Sequence, residues 1–457
     1  MQPNATLDRL VVCGATGDLA MRHLLPALAQ LVAAGSTPPG LRVAAVGPDP
    51  MSTQAYRGLV ARALERHPAV AATAARDLLA RLEYHPTDLL RSPSLSAAVG
   101  PGPVIAYLAL PPAVYGPAVE ALREAGLHPD SRIAVEKPFG QDAATARALT
   151  EQLHRTVPER NVFRIDHFLH HQTVQNVLAL RRSNRLFEPL WCREHVERVE
   201  ITWEETGTAE GRGGFYDGTG ALRDMVQSHL LQLLALVAMD LPETLDERGL
   251  RDAKAAALRA VRTDRGSVRG RYTAGEVNGR PVEGYLAEAG VDPTGATETY
   301  AALRLRVDTD RWAGVPFLVR TGKALGKDRR SVVLHFRPAP GVPADGTEAA
   351  GGNALRIEMV PERVALEVQA SGPEGLDRLA PVQLVAQPPR PSLPPSARLL
   401  LDLLRGDPTL AVRDDEAEQC WRVVDDVLAG WRTGTPALRD YPAGSDGPVP
   451  PGWPERD

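Results

Sequence analysis

The segment LVVCGATGDLA, Leu10 to Ala20, constrains the fold more than any other stretch of the chain. A short apolar run suited to a buried strand feeds directly into a Gly-x-x-Gly turn, and helical spacing follows from Met21 to Ala34. Gly14 lets the backbone turn sharply. Gly17 leaves it bare where the helix begins, so free N–H groups and the helix dipole face an anion such as a pyrophosphate. The alternation then continues: Leu41 to Val46, Val104 to Leu110 and Arg132 to Val135 read as buried strands, Ala55 to Arg81 as an Ala-, Leu- and Arg-rich helix, and Pro112 to Gly126 as a further helix. Strands and helices in alternation predict a parallel sheet with helices on its faces, an α/β Rossmann arrangement over residues 1–165.

From Val162 the texture changes. Val162 to Ile165 and Val199 to Trp203 read as strands, Thr173 to Arg182 as a helix, Thr206 to Gly220 as a loose Gly-rich stretch, and Leu222 to Met239 as a long apolar helix. Asp252 to Arg262 is read as helical. β-rich runs follow at Tyr300 to Val307, Pro316 to Arg320, Ser331 to Phe336, Leu355 to Met359 and Val364 to Gln369, joined by connections too short for crossover helices. They predict a larger α+β domain, residues 166–457, with a mainly antiparallel sheet. A Pro-rich segment, Gln387 to Pro395, precedes a helix at Ala397 to Leu404, and the tail GPVPPGWPERD reads as irregular. At 457 residues the chain has room for two or three cores of this kind.

Composition excludes several classes. Lys and Arg number 52 against 57 Asp and Glu, a net charge of −5, so there is no basic footprint for nucleic acid or an acidic membrane surface. Cys13, Cys192 and Cys420 are odd in number and far apart, which supports neither a disulfide framework nor a zinc site. The polar start MQPNATLDRL has no apolar core, and no run of eighteen apolar residues occurs. A soluble cytoplasmic chain is expected.

Several motifs carry chemistry. An acidic side chain at the end of the second strand accepts hydrogen bonds from a ribose 2′-hydroxyl and repels a 2′-phosphate. In AAVGPDP that place falls to Asp49, with no Arg before Arg57, which favours NAD. Only four basic residues are lysines: Lys137, Lys254, Lys323 and Lys327. A lysine kept in an arginine-rich chain is a candidate for presenting a compact charge to a sugar hydroxyl or phosphate. Lys137, in RIAVEKPFG, falls at the carboxyl edge of the sheet, where ligands of such folds bind, and Lys323, in VRTGKALGK, falls in a turn between two β runs. RIDHFLHHQ places Asp166 and His167 after a strand, and DMVQSHLLQLL places His229 in an apolar helix. A histidine on such a face is commonly a core residue, but removing hydride from a carbinol carbon needs a base for the hydroxyl proton, and His with an Asp partner supplies one near neutral pH. His167, His170 and His171 have helix-like spacing for a metal, yet no carboxylate or thiolate set accompanies them, so no metal is expected.

Taken in order, GATGDLA, YLALPP, EKPFG, RIDHFL, VQNVLALRRSNRLFEPLW, EGRGGFYD, GALRDMVQSHLLQLLALVAMD, GVPFLVRTGKAL and YPAGSDGP resemble the glucose-6-phosphate dehydrogenase family over nearly the whole chain. The resemblance implies oxidation at C1 of glucose 6-phosphate to a δ-lactone by NAD or NADP, at the entry to the pentose phosphate pathway, in a homodimer or homotetramer built on the antiparallel sheet. It implies that His229 is the general base and that Asp166 is the carboxylate that orients it. Lys137 would touch substrate and cofactor, His167 would hold phosphate, and Glu205, Asp224 and Lys323 would hold sugar hydroxyls or phosphate. Gly14, Thr16, Gly17, Asp18 and Leu19, with Asp49, would bind the dinucleotide.

Departures from the family pattern lie around phosphate recognition. Pro50, beside Asp49, stands where the family has Arg; the Tyr and Lys of RIDHYLGKE are Phe168 and His171; the Arg five residues beyond the TGK lysine is Asp328, with Arg329 adjacent; Val360 replaces a Gln and His23 a Lys. Glu358 stands where a basic ligand for a structural NADP is expected. Two or three lost charge-assisted hydrogen bonds, at about 1.5–3 kcal/mol each, weaken a phosphate site by orders of magnitude. A hexose altered at position 6 is therefore an alternative substrate. A protonated His171 would still bind phosphate, with affinity falling as pH rises past the ordinary imidazole value of about 6.5. A sugar dehydrogenase of other regiochemistry, as in the Gfo/Idh/MocA group, and a non-catalytic sugar or dinucleotide sensor are the rival readings.

Overall fold

The structure is a computed structural model that describes residues 7–91, 94–264, 266–339, 352–373 and 375–454. The first six residues and the last three of the Pro-rich tail, both read above from sequence, lie outside these. The chain forms two compact units: Met1–His171 with Glu243–Arg251 and Pro391–Glu418, and Gln172–Pro242 with Asp252–Arg390 and Gln419–Asp457.

The first unit is built on six parallel strands, β1 (Arg9–Cys13), β2 (Arg42–Gly47), β3 (Leu82–Pro86), β4 (Ile105–Leu108), β5 (Arg132–Glu136) and β6 (Val162–Ile165), in the order β3-β2-β1-β4-β5-β6. Leu10 to Cys13 and Ile105 to Leu108 are buried throughout, as strands covered on both faces must be. The expected α/β sheet is therefore present, and the order reverses between β1 and β4, where such sheets open a crevice at their carboxyl ends. The single helix read over Ala55 to Arg81 is instead two, Thr53–Glu65 and Ala72–Arg81. Pro68, which has no N–H to donate and clashes with the preceding turn, lies in the break. Strand β3 leaves little trace in the sequence because only Leu82 and Tyr84 of its five residues are buried, a pattern too short to register at a sheet edge.

Chain segments distant in sequence complete this unit. Leu399, Leu400, Leu403 and Leu404 of helix Pro395–Arg405 enter the same core as Leu10, Leu28 and Ile105. Arg132 donates from Nη1 to the Leu403 and Leu404 carbonyls at 2.9 and 2.8 Å. The helix stops at Gly406 (φ +72°), a left-handed position that favours glycine and where a Cβ would press on that guanidinium. Glu159 accepts from the buried Arg164 at 2.7 Å, from the buried Arg251 at 3.3 Å and from the Asp414 amide at 3.1 Å, with His154 at 2.7 Å. One carboxylate thus compensates two buried cations and ties three segments behind β6.

In the second unit β7 (Val196–Glu204), β8 (Val261–Thr263), β9 (Val268–Thr273), β12 (Tyr300–Val307), β13 (Pro316–Gly322), β14 (Arg329–Phe336), β15 (Ala354–Met359), β16 (Glu362–Gly372), β17 (Gly375–Ala386) and β18 (Leu438–Pro442) form one sheet, and β10 (Gly275–Val277) and β11 (Arg280–Val282) a small hairpin. The large sheet runs β17-β16-β15-β14-β7-β13-β12-β9-β18, with β8 beside β12. Pairing is antiparallel as expected except at β7–β13 and β9–β18, which are parallel. The loose stretch 206–220 contains a short helix, Gly213–Asp217. The long apolar helix is two segments in series, a wide-turned π-helix at Leu222–Leu230 and an α-helix at Leu231–Ala238, and the first packs on β7 and β13. As far as Pro454 the tail is irregular as read, though Trp453 is buried and Arg320 stacks over it at 5.5 Å.

The three cysteines are free. Burial pushes the Cys13 thiol up to about 12, so it is an inert core residue rather than a nucleophile. Among the described residues no helix is long and apolar enough to cross a membrane.

Candidate active site

In the first unit the expected dinucleotide residues collect at the carboxyl edge of the sheet. Gly14 has φ +83°, and its N–H and that of Ala15 both donate to the Val46 carbonyl at 2.9 Å, which draws the turn onto the end of β2. A Cβ at Gly14 would collide with the Ala109 carbonyl oxygen, so the turn can lie against the end of β4 only as glycine. Thr16 touches the end of β2: a Cβ on Gly47 would meet its side chain at 3.3 Å. Asp18 is exposed and pairs with Arg22 at 3.3 Å, and Leu19, at the helix start, packs on the core. Asp49 is exposed two residues past β2; its carbonyl accepts from the Tyr84 hydroxyl at 2.9 Å, which fixes the loop while the carboxylate remains uncommitted among the described residues. A glycine cradle against two strand ends with an acid at the second is the donor set a dinucleotide needs.

Beside it, β5 ends at Glu136 and continues through a cis Lys137–Pro138 bond. The Tyr107 hydroxyl donates to Glu136 Oε1, and the Tyr115 hydroxyl donates to the Glu136 carbonyl at 2.7 Å. Burial, reinforced by the Asp166 carboxylate, pushes the Glu136 carboxyl up to about 7 against the lowering effects of Tyr107 and Lys137. Asp166, fully buried after β6, accepts the Phe168 N–H on Oδ1 at 3.0 Å and so caps the 3₁₀ turn His167–His170. That turn sorts the three histidines. His170 faces inward to Asp402, Nε2 to Oδ2 3.3 Å, whereas His167 is exposed, with the His171 ring 6.2 Å away centre to centre. The helix-like metal spacing read from sequence is thereby broken: His170 is engaged with Asp402.

The second unit gathers the remaining candidates. Parallel pairing of β7 and β13 puts Glu204 opposite Gly322, so the next residues, Glu205 and Lys323, emerge side by side. Lys323 Nζ lies 2.9 Å from Glu205 Oε2 and 5.3 Å from the centre of the Tyr216 ring. Tyr216 is buried, and its hydroxyl is held well above the ordinary value by burial, then by the carboxylates of Asp224 and Glu298, by Tyr441 and by Glu205. Asp224 and His229 share the π-helix, the former half-buried, the latter 1% exposed. A widened turn at a functional helix is a recurrent arrangement that no hydrophobic pattern announces.

Arg329, the expected replacement for a lost phosphate ligand, is bound to Glu204 and Asp446, both at 3.0 Å. Arg330 instead joins Lys323 beside Glu205, at 3.5 Å from Oε1 and stacked on Trp203 at 5.0 Å. Asp328 accepts the Thr206 N–H at 2.7 Å, a structural task. Tyr216 and Arg330 are not singled out by the sequence, the first because it lies in a stretch read as loop.

Comparisons with known proteins agree with this layout. Residues 11–176 match the family described as "Glucose-6-phosphate dehydrogenase, NAD binding domain" and residues 178–450 the family described as "Glucose-6-phosphate dehydrogenase, C-terminal domain". The chain is 41% identical over 463 residues to the glucose-6-phosphate 1-dehydrogenase of Gluconobacter oxydans (strain 621H), covering 96% of this chain and 94% of that protein. It superimposes on the crystal structure of glucose-6-phosphate 1-dehydrogenase from Mycobacterium avium with a TM-score of 0.85 at 33% identity, over 97% and 95% of the two chains. A glucose-6-phosphate dehydrogenase solved in complex with its substrate glucose-6-phosphate gives a TM-score of 0.88 at 28% identity, over 98% and 97%. With a glycine cradle for a dinucleotide in one unit, a buried histidine on a π-helix in the other, and matches that run almost end to end, the chain belongs to the glucose-6-phosphate dehydrogenase family.

Proposed function

We propose that this chain is an oxidoreductase that takes hydride from C1 of glucose 6-phosphate, with NAD or NADP as acceptor, and releases the 6-phospho-δ-lactone. The observation that carries the reading is His229, buried on the same π-helix as Asp224, in a chain that matches the family over both of its domains. Residues 1–165 supply the dinucleotide-binding sheet, onto which helix Pro395–Arg405 packs, and the rest of 166–457 supplies substrate binding and dimerisation, in a cytoplasmic enzyme.

When bound, the nicotinamide ring supplies the hydride acceptor. Gly14, Thr16, Gly17, Asp18 and Leu19 hold the pyrophosphate side of the dinucleotide, and Lys137 reaches both ligands. His229 takes the C1 hydroxyl proton, and Asp166 is the orienting carboxylate that keeps the imidazole in the productive tautomer. Glu205 and Lys323, locked together, and Asp224 align the sugar hydroxyls, while His167 and His171 hold the phosphate. The test is a grid of initial rates crossing NAD and NADP with glucose, glucose 6-phosphate and 6-substituted hexoses, with the product identified. A lactone from glucose 6-phosphate is expected; a ketone, or no turnover with any hexose, overturns the reading.

The uncommitted Asp49 carboxylate favours NAD. A carboxylate and a 2′-phosphate charge 4 Å apart repel by about 4 kcal/mol at an effective dielectric constant of 20, and solvent at this exposed loop reduces that to roughly the 1.4 kcal/mol that separates two ligands tenfold. Asp49→Arg is expected to raise the NADP-to-NAD ratio of kcat/KM at least about tenfold. An unchanged ratio removes Asp49 as the selector.

A homodimer is supported by β17, an outer strand whose Val382, Leu384 and Val385 are 40%, 57% and 49% exposed. Exposed apolar groups on an edge with no further strand among the described residues are a template for a second copy. Leu384→Lys is expected to shift sedimentation toward the monomer; a wild-type profile would move the interface elsewhere.

A further inference from the structure

We propose that the second unit carries an anion-binding effector pocket, apart from the sugar residues, in which Arg223, Arg269 and Arg432 grip a small phosphorylated ligand. A cavity of about 430 Å³ opens where the π-helix begins, and these three arginines line it together with Asp217, Glu298 and Trp431. That volume suits a metabolite-sized ligand.

The three guanidinium groups are under-used. Arg223 makes one hydrogen bond, Nη1 to the Thr219 carbonyl at 3.3 Å, and its Nε is buried with no partner. Arg269 donates from Nε to the Pro436 carbonyl at 3.0 Å and lies over the Trp431 ring at 5.6 Å, a platform fixed by Trp431 Nε1 donating to Ser267 Oγ at 3.3 Å. Arg432 is exposed at its helix end. None of the three forms an ion pair among the described residues, whereas Arg320 and Arg329 are each bound to a glutamate of β7, at 2.8 and 3.0 Å.

The acids on the wall do not fill that role. Asp217 accepts the Tyr285 hydroxyl on one oxygen at 3.0 Å and the Asp292 N–H on the other at 3.1 Å. Glu298 accepts the Leu222 N–H on Oε1 at 2.9 Å. Burial raises the Glu298 carboxyl, against the lowering effects of the Leu222 and Glu298 N–H groups and the charges of Arg223 and Arg269. Planar guanidinium forks converging on one space match phosphate oxygens.

The pocket also has a route to the chemistry. Glu298 holds the first turn of the helix that carries Asp224 and His229, and it owes part of its charge to Arg223 and Arg269. An anion that takes over those two arginines weakens the hold on Leu222, and binding there and at the sugar residues must then be reciprocally coupled.

Inorganic pyrophosphate is the probe, titrated calorimetrically into the full chain with and without saturating glucose 6-phosphate. Saturable binding that persists with the sugar phosphate is expected, weakened at least about tenfold in Arg432→Gln and further in the Arg269→Gln/Arg432→Gln double variant, as follows from losing charge-assisted contacts. Arg432→Gln, at an exposed position, should keep its fold and its basal kcat while losing the response of kcat to pyrophosphate. Absence of saturable binding, binding abolished by glucose 6-phosphate, or undiminished binding in both variants overturns the proposal.

Discussion

His229→Asn is expected to lower kcat by about 10²–10⁴-fold, the usual worth of a positioned general base, while KM for glucose 6-phosphate changes by about twofold or less. The split between the two constants follows from the role. Before hydride leaves, the C1 hydroxyl needs only a hydrogen-bond partner, which an amide provides; as hydride leaves, it needs a group that accepts the proton, which an amide is not. The position is 1% exposed on a helix packed against β7 and β13, so water cannot readily substitute as base. Because Asn is smaller than His, the variant's melting temperature must be recorded beside its kinetics, and a folded protein with intact substrate binding is the condition under which the loss is read. Turnover at the wild-type level in the His229→Asn variant would remove His229 from the mechanism; an equal loss in binding would make it a substrate ligand instead.

The parallel sheet of the first unit is legible in the sequence because fully buried strands leave continuous apolar runs such as Leu10 to Cys13, and Gly14 and Gly17 mark where the chain has to turn. What escapes is whatever depends on pairing between distant segments. Nothing local in Glu205 or Lys323 says they meet; the parallel register of Glu204 with Gly322 does. Helix Pro395–Arg405 is amphipathic by its own sequence, but that its leucines join a core made by the N-terminal strands is a fact of topology. The π-helix under His229 has an ordinary apolar pattern, since wide turns shift the face without changing its composition. Arg223, Arg269 and Arg432 are ordinary arginines in three separate elements, and only their convergence on one cavity, with no ion pair among the described residues, singles them out.

Glu136 illustrates the same limit and carries the second large effect. Adjacency to Lys137 alone would depress the pKa of an acid, but burial holds this carboxyl up to about 7, above its ordinary value of 4.5. The folded protein therefore keeps a proton that the unfolded chain releases between those two values. Stability from this group is complete below about 4.5 and declines as pH rises toward 7, at about 1.4 kcal/mol per pH unit, roughly 3 kcal/mol in all. Glu136→Gln keeps an acceptor for the Tyr107 hydroxyl and is neutral at every pH. Melting temperatures of the two proteins, measured in steps from about pH 5 to pH 8, are expected to diverge by several degrees in favour of the variant as pH rises. The same ionisation adds a negative charge beside Lys137 at the sheet edge, so dinucleotide affinity should fall through about pH 7 in the wild type and stay level in the variant. Melting curves that remain parallel across the range would mean that Glu136 ionises normally, and the neutral acid at the end of β5 would have to be abandoned.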